Sequence, residues 1–175
     1  MEPLRSARDK CAEHERRPDV GGEHKYGDLL QGLLLLLFVA VLLLDHFLIK
    51  SSHLLAPFIP WWARISIGLL ILVFGWRLAA EGMRVVFGEV RQNPTVIQQG
   101  PFAHLRHPIY LGSILLYLAV VVMTLSLAAA LVWLLIVACY AFLANYEEKL
   151  LLEKFGDAYQ QYRLLVPMWI PRPKT

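Results

Sequence analysis

Residues 109–146, IYLGSILLYLAVVVMTLSLAAALVWLLIVACYAFLANY, decide the fold of this chain. Two apolar stretches, 109–123 and 127–146, are separated only by Thr124-Leu125-Ser126. About 20 apolar residues at 1.5 Å each cross the ~30 Å hydrocarbon core of a bilayer, so the pair predicts a tight transmembrane helical hairpin. Its first arm is short for a full span.

The rest of the sequence extends the same pattern. Residues 29–49 are apolar except for Gln31 and Asp45-His46, and 63–80 form another apolar stretch with Arg64 and Arg77 near its ends. Pro57 and Pro60 break the chain between these stretches, and Trp61-Trp62 stand where an interfacial aromatic belt is expected. The predicted fold is all-α and integral to the membrane, with about four transmembrane helices. The 57% hydrophobic composition is too apolar for an ordinary soluble domain of 175 residues. Three regions are expected: a polar leader at 1–28, two spans within 29–80, and 81–175, containing the hairpin and a polar tail. The Gly- and Pro-punctuated segment 81–107 reads as an ordered loop.

Charge orients this arrangement. Six Lys or Arg residues lie in the leader, four between Arg77 and Arg106 and five after Glu147, against Lys50 and Arg64 on the other side. Excess positive charge marks cytoplasmic segments, so both termini are predicted to be cytosolic in a multi-pass protein. A net charge of +3 with no basic stripe interleaved with aromatics gives no footprint for nucleic acid. Cys11 and Cys139 are poorly placed for a disulfide, and no zinc site is expected from them.

The hairpin brings two polar segments to one level: 100–110 before it, and the stretch from Glu147-Glu148 through Tyr162 after it. A pair of carboxylates facing a His-Arg-Tyr segment at a helix mouth is suited to holding a polar ligand whose reactive end meets something in lipid. Taken alone, His107 reads sooner as a group bracing a helix end, and Glu147 and Glu148 are equally solvated interfacial charges.

The motifs narrow the choice. Arg106-His107-Pro108-Ile109-Tyr110-Leu111-Gly112 resembles the Arg-His-Pro-x-Tyr-x-Gly signature of the isoprenylcysteine carboxyl methyltransferase family and its phospholipid methyltransferase-like relatives. A second signature follows in order: Glu147-Glu148, Leu151 or Leu152, Phe155-Gly156, Tyr159, Tyr162, Val166-Pro167 and Ile170-Pro171. The resemblance covers 93–171. It implies methyl transfer from S-adenosylmethionine without a Rossmann domain, to a lipophilic small-molecule or lipid-modified acceptor reached from the membrane lipid. Carried over by matched position, it implies cofactor contacts at Pro94, Thr95, Val96, Ile97, Phe102, His107, Pro108, Ile109, Tyr110 and Glu147. It assigns catalytic or acceptor-facing roles to Arg106, His107, Tyr110 and Glu148, and implies no metal.

Methyl transfer is an in-line displacement, so positioning is the main mechanism expected. A carboxylate acceptor needs no general base, whereas an ammonium must first lose a proton, for which Glu148 or His104 is a candidate. Where prenylcysteine enzymes carry an arginine before the glutamate pair, this chain has Leu143, which leaves prenylcysteine, phospholipid and other amphiphilic acceptors open. An NADPH-dependent membrane reductase and a noncatalytic membrane scaffold are the competing classes.

Other residues read as structural. Tyr159 and Tyr162 are expected to pack the tail against the bilayer, Asp45 and His46 to be interfacial, and Cys139 to fill space in the lipid-level core.

Overall fold

The computed structural model describes residues 27–49, 57–88 and 95–170. Nearly all of the expected leader lies outside them, as do Lys50, Arg91, Pro94 and the tail beyond Ile170. The described residues form five α-helices and no strand: α1 (Gly27–Leu44), α2 (Trp61–Phe87), α3 (Pro108–Thr124), α4 (Leu127–Phe155) and α5 (Asp157–Leu165). A π-helical turn, Asp45–Ile49, continues α1, and a 3₁₀ turn, Gly100–Ala103, precedes α3.

Three helical segments are long and apolar enough to cross a membrane: Leu29–Phe47, Trp61–Phe87 and Leu127–Phe155. The fourth expected span, α3, is also apolar but has only 17 residues. Large side chains such as Leu36, Leu70, Trp76 and Phe142 point outward from these helices, as lipid-facing residues do. The chain is an all-α membrane protein.

Local chemistry sets the helix ends. Pro108 opens α3 at the position where its missing N–H costs nothing. The link to α4 is closed by Leu125 in the left-handed conformation (φ 51°) and by Ser126, whose hydroxyl accepts a hydrogen bond from the Ala129 amide. The expected hairpin is present, and α3 packs against α4. Gly156, at φ 53°, ends α4 and turns the chain into α5.

The second helix corrects one expectation: it runs on through Glu81 to Phe87 instead of ending near Ala80. Gly82 does not break it, because the glycine's bare face lies against Ile109 of α3. Gly68, Gly75 and Gly82 recur every seven residues along one face of α2 and admit α3 at backbone distance. A β-carbon at Gly112 on α3 would stand 2.8 Å from the Gly75 carbonyl oxygen and 2.8 Å from the Ala79 nitrogen. The α2–α3 interface is the most extensive in the fold. Helix α1 packs instead on α4, where Leu34 and Phe38 join Ile114, Ala129, Ile136 and Tyr140 in the core.

Asp45 lies at the end of the bundle remote from the loop 95–107. Its side chain is fully buried and accepts a hydrogen bond from the Ser126 hydroxyl, tying α1 to the hairpin turn.

Candidate active site

The site is assembled where the N-terminus of α3 meets the last third of α4. Adjacent residues on a helix are turned by about 100°, so Glu147 and Glu148 face different surroundings. Glu147 borders a cavity of about 340 Å³. Glu148 lies behind that wall, 3% exposed, and does not border the cavity.

His107 stands between the two carboxylates. Its Nδ1 is 3.6 Å from Glu147 Oε2 and its Nε2 is 3.2 Å from Glu148 Oε1. The ring is buried and lies parallel to Tyr110, with centroids 5.6 Å apart; Trp169 from the tail approaches it at 6.2 Å. Burial by itself pulls an imidazole's pKa down, but hydrogen bonds to Glu147 and Glu148, together with their charges, outweigh it and hold His107 above its ordinary 6.5.

Glu148 gathers cations. Arg106 Nη1 is 2.8 Å from its Oε1, and Arg163 Nε, on α5, is 3.2 Å from its Oε2. With His107 on Oε1 as well, this carboxylate joins α3, α4 and α5 at one point. Two further bonds close the tail over the loop: the Arg106 amide donates to the Pro167 carbonyl at 3.0 Å, and the Tyr162 hydroxyl donates to the Phe102 carbonyl at 2.7 Å.

Arg106 is incompletely satisfied. Nε and Nη1 are buried, and among the described residues neither has an aligned hydrogen-bond acceptor, although Nη1 is ion-paired with Glu148. Arg106 also borders the cavity, where its side chain is 12% exposed. The same wall carries a carboxylate, Glu147, and aromatic faces from Phe102 and Tyr110. This mixture suits a ligand bearing an ammonium, a carboxylate and a further cationic centre.

The structure brings the expected residues together. Thr95, Val96, Ile97, Phe102, Arg106, His107, Pro108, Ile109, Tyr110 and Glu147 all border one cavity, while Pro94 lies outside the described residues. Tyr159 and Tyr162 turn inward, not toward the bilayer: they are 2% and 4% exposed, pack with Phe155 and Val96, and border the cavity. Burial pushes both phenols up, so they stay protonated. Leu143 is 2% exposed and does not border the cavity. Sequence reasoning passed over Gln31 on α1 and Met83, Val86 and Phe87 at the end of α2, which complete the wall. Only Gln31 gave a signal, as a lone amide in an apolar run.

Comparison with known proteins gives the family of the chain. Residues 62–158, more than half of the chain, match the family model for phospholipid methyltransferases. The chain belongs to that family. It is similar to methanethiol S-methyltransferase 1 of Bradyrhizobium diazoefficiens, with 41% identity over 71 residues. That alignment covers 40% of this chain and 24% of the relative, so the chain spans well under half of the relative's length. No solved structure matches the chain.

Proposed function

We propose that the protein moves a methyl group from S-adenosylmethionine to a lipophilic acceptor that enters from the membrane. The observation that carries this reading is the joint presence, on one 340 Å³ cavity, of Glu147, Arg106 and the aromatic residues Phe102 and Tyr110. They fit the ammonium, carboxylate and sulfonium of that molecule, which supplies an electrophilic methyl group when bound.

The residues of the chain bind and orient. Glu147 pairs with the ammonium, Arg106 donates to the carboxylate, and the aromatic faces favour the cation over water. His107 holds Glu147 in place from behind. Glu148, occupied by Arg106, His107 and Arg163, acts as a positioning group and not as a free base. Alignment of acceptor and methyl then supplies much of the acceleration. In this reading the protein is multi-pass, with both termini cytosolic and the cavity at the cytosolic surface, as the Lys and Arg distribution supports.

The relative's printed name adds a thiol to the acceptors worth assaying, beside prenylcysteine carboxylates and phospholipid amines. Calorimetric titration of the detergent-purified chain with S-adenosylhomocysteine tests the donor. Saturable binding that weakens at least about tenfold in Glu147→Ala is expected, as loss of a charge-assisted contact worth ~1.5–3 kcal/mol implies. Binding of NADPH instead would favour a reductase, and binding of neither by folded protein would favour a noncatalytic scaffold.

A further inference from the structure

Helix α5 has two unlike faces. Tyr159, Tyr162 and Val166 are buried against Leu151, Leu152, Phe155 and Val96, which accounts for its inner side. The outer side changes character along its length. Asp157, Gln160 and Gln161 are exposed in the first turns, as suits a helix in water, but the last turn exposes Leu164 (72%) and Leu165 (82%), and Ile170 beyond it is 79% exposed. Large aliphatic side chains grouped in this way mark a surface that something covers.

The path of the chain identifies the cover. Helix α4 rises about 10 Å from Glu148 to Phe155, at 1.5 Å per residue. Gly156 reverses the direction, and α5 packs back along the last turns of α4, so that Arg163 meets Glu148 at 3.2 Å. The descent continues past that level: the Pro167 carbonyl accepts from the Arg106 amide, and Trp169 packs against the core between the spans. On α4 the level of Glu148 is where the outward surface leaves the hydrocarbon, passing from Phe142 (64% exposed) through Tyr146 to exposed Lys149 and Glu153. The polar half of α5 therefore stands above the membrane surface, and Leu164, Leu165 and Ile170 come down to it.

We propose that the tail from Asp157 to Ile170 is an interfacial anchor: Leu164, Leu165 and Ile170 enter the boundary between lipid headgroups and acyl chains, and the bilayer surface thereby holds one wall of the cavity in place. Helices that lie at a membrane surface seat their apolar side chains in this boundary. The same helix turns Tyr159 and Tyr162 to the cavity and ties down the loop through the bond from Tyr162 to the Phe102 carbonyl. Lipid on one side and the cavity on the other thus share one nine-residue helix. Nothing in this assignment depends on which ligand fills the cavity.

The test uses the full chain reconstituted in phosphatidylcholine nanodiscs, with Cys11→Ser and Cys139→Ala so that a fluorophore can be placed at Leu165→Cys or, as a control on the same helix, at Gln160→Cys. Quenching is measured with iodide in the water and with lipid carrying a nitroxide high on its acyl chain. The probe at Leu165→Cys should be quenched several-fold more strongly by the lipid nitroxide, and less by iodide, than the probe at Gln160→Cys. Equal iodide quenching at the two sites would overturn the anchor. Protection of the Leu165→Cys probe from both quenchers would assign the patch to a protein partner, such as a second copy of the chain, and overturn it as well.

Hydrogen exchange of unlabelled protein in the same nanodiscs reads the consequence for the cavity. With Leu164→Ser and Leu165→Ser together, the amides of Phe102, His104, Leu105 and Arg106, which donate to Gln99, Pro101 and Pro167, should exchange about tenfold faster than in wild type, while those of the α3–α4 hairpin keep their protection. Unchanged exchange in the loop would overturn the claim that the bilayer holds that wall. Faster exchange throughout the hairpin as well would make the two leucines part of the fold instead of lipid contacts.

Discussion

His107 Nε2 lies 3.2 Å from Glu148 Oε1, joining the first turn of α3 to α4 across 41 positions of sequence. The other ring nitrogen faces Glu147. One imidazole thus separates a carboxylate that borders the cavity from one that holds the scaffold, and the two glutamates are expected to respond differently to mutation.

Replacing the inner one should damage stability first. Glu148→Gln leaves Arg106, whose side chain is 12% exposed, without its carboxylate, and breaking a buried ion pair costs about 3–5 kcal/mol. Arg163 is 37% exposed and solvent-screened, so Arg163→Ala should cost below ~1 kcal/mol. Unfolding in detergent, followed by circular dichroism, should rank the two in that order. Equal loss would remove Glu148 from its structural role.

The same histidine makes stability depend on pH. Its folded-state pKa is raised above 6.5, so its contribution is fully present below pH 6.5 and is lost as pH rises through the raised value. Thermal unfolding of wild type should therefore weaken on the alkaline side of neutrality, and His107→Asn should flatten that limb. A wild-type limb that declines no more steeply than the variant's would contradict the ion-paired histidine.

Packing of α2 on α3 sets a third expectation. In Gly112→Ala the new methyl meets backbone atoms of Gly75 and Ala79 at 2.8 Å, which cannot yield as a flexible side chain does. A loss of about 1–3 kcal/mol is expected from overpacking. Gly32→Ala on α1 has nothing within 4 Å and should be neutral or slightly stabilising, through helix propensity alone. Melting temperatures of the two variants check the contrast.

At the opposite end, Ser126→Ala removes both the N-cap of α4 and the hydroxyl that donates to buried Asp45. It should cost about 1–2 kcal/mol, yet leave S-adenosylhomocysteine affinity unchanged, because the cavity lies at the other end of the helices. A drop in affinity without a drop in stability would show coupling between the two ends.

Tyr162→Phe probes the tail. Losing the 2.7 Å bond to the Phe102 carbonyl should cost about 1 kcal/mol and loosen the loop that carries Val96 and Phe102. Calorimetry should then find S-adenosylhomocysteine bound several-fold more weakly, with its enthalpy reduced.

The sequence by itself determined the class of the molecule and much of its site. Apolar runs long enough for a bilayer can be read residue by residue, since hydrocarbon demands internally satisfied backbone. The ordered motifs from Arg106 to Gly112 and from Glu147 to Tyr162 marked the cavity wall, because residues flanking a tight hairpin must meet. Contacts that depend on the relative rotation and depth of separate helices were decided by the tertiary structure alone. Which glutamate faces the cavity follows from a 100° turn and from what packs behind it. Helix α2 runs through Gly82 because a bare glycine face is filled by Ile109 of another helix, which no local propensity reveals. Asp45 found Ser126, and Gln31 found Tyr140, across long separations for the same reason: a polar group inside a membrane protein takes its partner from whichever helix lies opposite, and only the packed bundle says which helix that is.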